Sequence, residues 1–147
     1  MGRATLIDET VLAIEVVIDI ARLGPIKGAD LALRQGLHPR HLEGLLQRLA
    51  RNGIVVGERG RGGGYDLARN ATLITACDVV RAAISDAPDK RNAHGTQAVR
   101  ELFEQAEEQI FTLLHAVTIA SLADRRHVST PAVDGEIAAN PLLRPTA

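Results

Sequence analysis

Residues 39–67 read PRHLEGLLQRLARNGIVVGERGRGGGYDL, and their reading decides the fold. Leu42, Leu45, Leu46 and Leu49 recur at helical spacing and predict a helix with one face toward a core. Arg40, His41, Glu43, Gln47, Arg48 and Arg51 then face outward. Asn52-Gly53 stops the helix, because both residues tolerate the left-handed conformation of a helix end. Ile54 to Val56 is β-branched and predicts a strand. Arg59-Gly60-Arg61-Gly62-Gly63-Gly64 reads as a hairpin tip carrying two guanidinium groups on a backbone of little bulk, followed by a returning strand. A polar-faced helix beside a cationic hairpin suits duplex DNA: the helix fills a major groove and the hairpin reaches phosphates or a neighbouring minor groove. The run of glycines further allows a close approach of backbone to phosphate.

Upstream, the pattern Leu12, Val16, Ile20 and Leu23, widened by Val17 and Ile18, predicts a first helix from Val11 to Leu23. Asp8 is its expected cap and Gly24-Pro25 its stop. Ala29 to Gln35 reads as a short helix, Gly36 to Pro39 as a turn, and Pro39 suits the first turn of the next helix. Two helices around a short glycine-containing turn, the second polar on one face, form a helix-turn-helix. The hairpin that follows makes it a winged helix. Arg69-Asn70 closes the wing and Thr75 caps a short helix to about Ile84. Ser85 to Gly95 is a polar loop. Thr96 to Asp124 then reads as one continuous helix of about 43 Å at 1.5 Å per residue. Val99, Leu102, Phe103, Ala106, Ile110, Leu113, Leu114 and Val117 form one apolar stripe; Phe111, Ile119 and Leu122 add a second side. A helix apolar on two sides needs two partners: its own winged domain and the same helix of a second subunit. The expected organisation is a mainly α chain with a small β-hairpin. Residues 1–84 form the winged helix-turn-helix domain, 85–95 a loop, 96–124 a dimerisation helix and 125–147 a flexible tail.

The 147 residues suffice for one core plus an extra element. With aromatics at 2% the core must be aliphatic. The net charge of −1 hides an asymmetry. Between Arg22 and Arg69 nine cations face four carboxylates, net +5, whereas from Ala71 onward seven face ten, net −3. A basic segment joined to an acidic one fits a part that contacts DNA and a part that keeps off it. The apolar run of the first helix is broken by Asp8, Glu9, Glu15 and Asp19, so neither a signal peptide nor a membrane span is expected, and the expected location is cytoplasmic. A single cysteine excludes an internal disulfide framework.

The remaining chemistry-bearing residues have plain readings. The glycines match neither G-x-G-x-x-G nor the G-x-x-x-x-G-K phosphate loop. His38 and His41 read as a helix cap and a DNA-facing residue rather than metal ligands. His94 reads as solvated and His115 as an interface or core-edge residue. Cys77 reads as a small buried side chain, with a redox sensor as the alternative. No nucleophile stands in a recognisable catalytic setting, so no enzyme is expected.

The helix-turn-helix, the wing run RGRGGGYDLAR (Arg59 to Arg69), LITACDVVRAA (Leu73 to Ala83) and VTIASLAD (Val117 to Asp124) together resemble the Rrf2 family of bacterial winged-helix transcription regulators. The resemblance spans roughly Leu6 to Asp124, and Arg59-Gly60 followed by Gly63-Gly64-Tyr65 is its most specific part. It implies a homodimer paired through the long helix, a palindromic operator and, in many members, repression. It also implies that Glu43 reads bases in the major groove, where a carboxylate accepts from cytosine N4, and that Arg59 enters the minor groove. Arg40, His41 and Gln47 are further candidate base readers; Arg48, Arg51, Arg61 and Tyr65 are candidate phosphate or wing contacts. Where family members often carry a hydroxyl, an aromatic and a glutamine, this chain has Arg40, His41 and Gly44, so the family's operator does not carry over to it. Leu12 and Glu15 likewise replace a usual aromatic and a usual basic residue. Cluster-binding members carry three cysteines in the loop before the long helix. Residues 85–95 have none, and one thiolate cannot hold a cluster that takes about four protein ligands. The expectation is therefore a regulator without an iron–sulfur cluster. The alternatives are a small-molecule or thiol-responsive member, its effector between the long helix and the winged domain, and a winged helix that docks a protein partner.

Overall fold

The computed structural model describes residues 6–86 and 95–125. The first helix, α1, spans Leu6–Leu23. Ala13, Val16, Val17 and Ile20 repeat at i, i+3, i+4 and i+7 and are all buried. The helix starts more than a turn earlier than the apolar pattern predicts. Asp8 and Glu9 lie in its first turn rather than before it, where negative charge complements the helix dipole. Leu23, expected on the core face, is exposed because α1 ends there.

Helix α2 spans Gly28–Arg34 and α3 spans Pro39–Arg51. Gly36 turns the chain between them with a φ of 65°. The His38 Nδ1 accepts from the Arg40 backbone N–H at 3.3 Å, and Pro39 takes the first helical position. Leu42, Leu45, Leu46 and Leu49 are buried, as their spacing predicts. At the far end Gly53 has a φ of 70°, and the Ile54 N–H donates to Leu49 O. Ile54 therefore closes the helix into the core, and strand β1 begins one residue later than expected, at Val55–Glu58.

Strand β2, Gly64–Leu67, returns antiparallel, with Val55 opposite Leu67 and Glu58 opposite Gly64. The hairpin is tethered at its back. Ile26, in the linker between α1 and α2, exchanges two backbone hydrogen bonds with Tyr65, at 3.0 and 2.7 Å. A side chain on Gly64 would put its Cβ 2.6 Å from the Ile26 backbone, and one on Gly63 would lie 2.5 Å from Glu58 O. These two glycines serve the packing of the wing itself rather than an approach to phosphate. Gly60 and Gly62, with φ values of 102° and 74° and open space around them, form the free turn.

Asn70 caps a 3-10 turn at Ala71–Leu73. Thr75 and Asp78 then form a reciprocal capping box at the start of α4, Ala76–Ala83. Helix α5 spans Gln97–His115 and α6 spans Ile119–Asp124. The expected continuous helix from Thr96 to Asp124 is thus two helices, and α5 alone is about 28 Å long. The break has a local and a tertiary cause. Thr118 is extended, and its Oγ1 accepts from the Ser121 N–H as a cap. The backbone on either side is bonded to the segment before α4: the Ala76 N–H donates to Val117 O and the Ile119 N–H to Ile74 O, both at 2.8 Å. Ile119 is fully buried in the main core, and Arg22 Nε of α1 donates to Ala123 O at the end of α6. Residues 119–124 therefore belong to the body of the winged domain. The expected loop 85–95, with His94, and the expected tail 125–147 lie largely outside the described residues.

One aliphatic cluster joins α1, α2, α3, β1, α4 and α6. Helix α5 stands apart from it: no residue of α5 is buried, and Leu102, Phe103 and Leu113 are 62%, 66% and 71% exposed. Of the second apolar side, Ile119 and Leu122 pack with the main core from α6, and Phe111, its member on α5, is half-buried with the Arg81 guanidinium 5.0 Å from its ring centroid.

Candidate nucleic-acid interface

The core face of α3 is fixed by four leucines, so the opposite face is presented to solvent. Arg40, His41, Glu43, Gly44 and Gln47 are all exposed there. The tip of the wing, beyond Glu58, exposes Arg59, Gly60 and Arg61. The tether from Tyr65 to Ile26 joins β2 to the linker that leads into α2. The half-buried Tyr65 ring lies against Gly57 on one strand and Gly28 at the start of α2. Tyr65 is thus a prop that sets the wing against the helix-turn-helix.

Seven arginines of this region fall into two groups. Arg40, Arg59 and Arg61 form no ion pair among the described residues. Four others are held by carboxylates. Arg34 Nη2 bonds Asp19 Oδ1 at 3.1 Å, and Gln35 Nε2 bonds the other oxygen at 2.9 Å. Asp19, buried in α1, is thereby satisfied, and its hydrogen bond and charge hold the Arg34 guanidinium above its ordinary pKa. Arg69 pairs with Asp78 at 3.3 Å. Arg51, at the end of α3, pairs with Asp86 at 2.6 Å, and the neighbouring Asn52 amide donates to Ser85 Oγ.

Arg48 corrects an expectation. Helical spacing predicts that it faces outward, but its side chain is 18% exposed and its Nη2 bonds Glu9 Oε1 of α1. Its Nε is buried without a hydrogen-bond partner among the described residues. Helix α3 turns this position toward α1, and Glu9, one turn into α1, supplies the counter-charge. The partners are 39 residues apart in sequence, so no local spacing announces the pair. Asp19 did leave a signal: a carboxylate set between Ile18 and Ile20 in an apolar stripe must find a donor.

Cys77 is 1% exposed inside α4. A shallow groove between α4 and α5 is lined by Cys77, Arg81, Glu108, Phe111, Thr112 and His115. Among the described residues no three or more His, Cys, Asp or Glu side chains gather in a way that could hold a metal ion.

A family model described as Rrf2, iron-dependent transcriptional regulator, matches residues 6–125. The transcriptional regulator IscR of Yersinia enterocolitica is 31% identical over 127 residues, covering 79% of this chain and 77% of IscR. The same regulator from Pectobacterium atrosepticum matches with the same identity and coverage. Among solved structures, the global cysteine regulator CymR of B. subtilis superposes with a TM-score of 0.66 at 25% identity, over 86% of this chain and all of CymR. IscR of T. potens superposes with a TM-score of 0.64 at 22% identity and shares the fold. Among the described residues the iron in the family's description finds no cluster of candidate ligands. The one cysteine is a buried thiol in α4, against the about four ligands that an iron–sulfur cluster takes.

Proposed function

This chain belongs to the Rrf2 family of DNA-binding transcriptional regulators, and on that premise we propose that it is a homodimeric repressor of a palindromic operator that works without an iron–sulfur cluster. The observation that carries the reading is the joint presentation of the exposed face of α3 and the unpaired Arg59–Arg61 tip on one tethered frame. Arg40, His41, Glu43 and Gln47 meet base edges in the major groove. Arg59 and Arg61, with Gly60 between them, reach the minor groove or its phosphates. Arg51 joins them only by leaving Asp86, and Arg48 stays with Glu9 as a brace between α1 and α3.

The exposed stripe of α5, from Val99 through Phe103 to Leu113, has no cover among the described residues. A second copy supplies it, which pairs two reading heads for half-sites about 34–36 Å apart. No helix among the described residues is long and apolar enough to cross a membrane, in keeping with action on cytoplasmic DNA. The groove between α4 and α5 is where a small-molecule effector would enter, since it separates the pairing helix from the reading domain. Burial of Cys77 favours a packing role over an exchangeable thiol.

Selection of genomic fragments by the purified protein, beside an Arg59→Ala control, tests the proposal. Enrichment of a palindrome by the wild type, with reduced retention by the variant, is expected. Equal retention by both, or none by either, would sink it.

A further inference from the structure

Gly44 sits in the middle of the exposed face of α3, and nothing among the described residues requires a glycine there. Gly24, Gly63 and Gly64 are required by backbone that a Cβ would strike at 2.5–2.6 Å. Gly36, Gly53, Gly60 and Gly62 have positive φ. Gly44 shows neither feature. It is inside a regular helix, and a Cβ would meet only the Arg48 guanidinium, at 3.8 Å, an ordinary contact. A glycine in a helix interior weakens that helix relative to alanine, through the entropy of the unfolded chain and the exposed backbone. The position therefore carries a stability cost with no return in packing.

No described residue compensates that cost, and Gly44 faces the exposed side of the helix. Offsets of three and four along a helix share a face, so Arg40, His41 and Gln47 surround Gly44, and all are exposed. Resting on the reading of α3 as the groove helix, we propose that Gly44 is a steric window in the recognition surface. It is the point where the α3 backbone comes closest to the base edges, and the missing side chain decides which base pair fits beneath it. Long side chains around the window then reach down on either side of a backbone that lies deeper in the groove than a side chain at residue 44 would allow.

The window separates stability from binding, which makes it testable with one substitution. In Gly44→Ala the melting temperature should rise by a few degrees, as expected for alanine in a helix. Its affinity for the DNA site selected by the wild type should fall tenfold or more, and reselection should return a changed base pair within each half-site. Affinity within twofold of wild type at the same site would overturn the window. So would a melting temperature that falls together with affinity, which would make Gly44 a structural glycine. A wild-type protein that retains no DNA fragment would overturn the groove reading itself, and the window with it.

Discussion

The division of cations into free and carboxylate-held groups makes the salt dependence of DNA binding a quantitative test. Among the described residues Arg40, Arg59 and Arg61 form no ion pair and lie on the proposed face, so the proposed dimer brings six free cations to the duplex. Each displaces a counterion whether it sits on a phosphate or, like Arg40, in the groove. At about −0.9 per neutralised phosphate, the slope of log K against log salt should be about −5.4. If Arg48 and Arg51 also bound phosphate, the slope would be about −9. Between 50 and 200 mM salt the first slope predicts a loss of roughly 2,000-fold. Replacing Arg59 and Arg61 together by alanine removes four contacts per dimer. The slope should fall to about −1.8 and the loss over the same range to roughly 12-fold. Fluorescence anisotropy of a labelled operator across that salt range measures both values. A double variant whose slope equals that of the wild type would refute the assignment of the wing to phosphate. A wild-type slope near −9 would refute the claim that Arg48 and Arg51 are held back.

Three further outcomes follow from particular contacts. Asp86→Ala frees Arg51, so the salt slope of the variant should steepen by up to about 2 per dimer, read in the same anisotropy assay. Gly64→Ala sets a Cβ 2.6 Å from the Ile26 backbone at a φ of 152°; it should lower stability by about 1–3 kcal/mol in urea unfolding and weaken DNA binding by displacing the wing. Phe103→Glu places a charge on the uncovered stripe of α5, and sedimentation should then report monomer with an unchanged helical circular-dichroism signal; a variant that stays dimeric would show that pairing runs elsewhere.

Much of the reading domain was legible because its signals are local. The leucine repeat of α3, the Asn52-Gly53 stop, the Pro39 start and the Thr75 cap each act within one turn of chain, and each is where its residue type predicts. The break between α5 and α6 was less legible. The apolar stripe runs through it, and the two backbone bonds that hold it open come from Ile74 and Ala76, more than forty residues earlier. The Thr118 and Ser121 cap was the available local sign, hidden among apolar neighbours.

The candidate interface divides in the same way. Which residues leave α3 on the polar side follows from helical periodicity, and Arg40, His41, Glu43 and Gln47 are exposed accordingly. Which cations remain free does not follow from periodicity, because Glu9 and Asp86 reach Arg48 and Arg51 across the fold. The glycines of the wing show a further limit. Composition alone reads three in a row as one flexible run, whereas Gly63 and Gly64 are fixed by the backbones of Glu58 and Ile26 and Gly62 turns in open space.

Hydroxyl-radical footprinting on a selected operator tests the central claim most directly, because it reports helix, wing and dimer together. Two protected clusters symmetric about a dyad and about one helical turn apart are expected, with outer minor-groove protections that vanish in Arg59→Ala. A single protected stretch without a dyad, or an Arg59→Ala footprint identical to that of the wild type, would contradict the account.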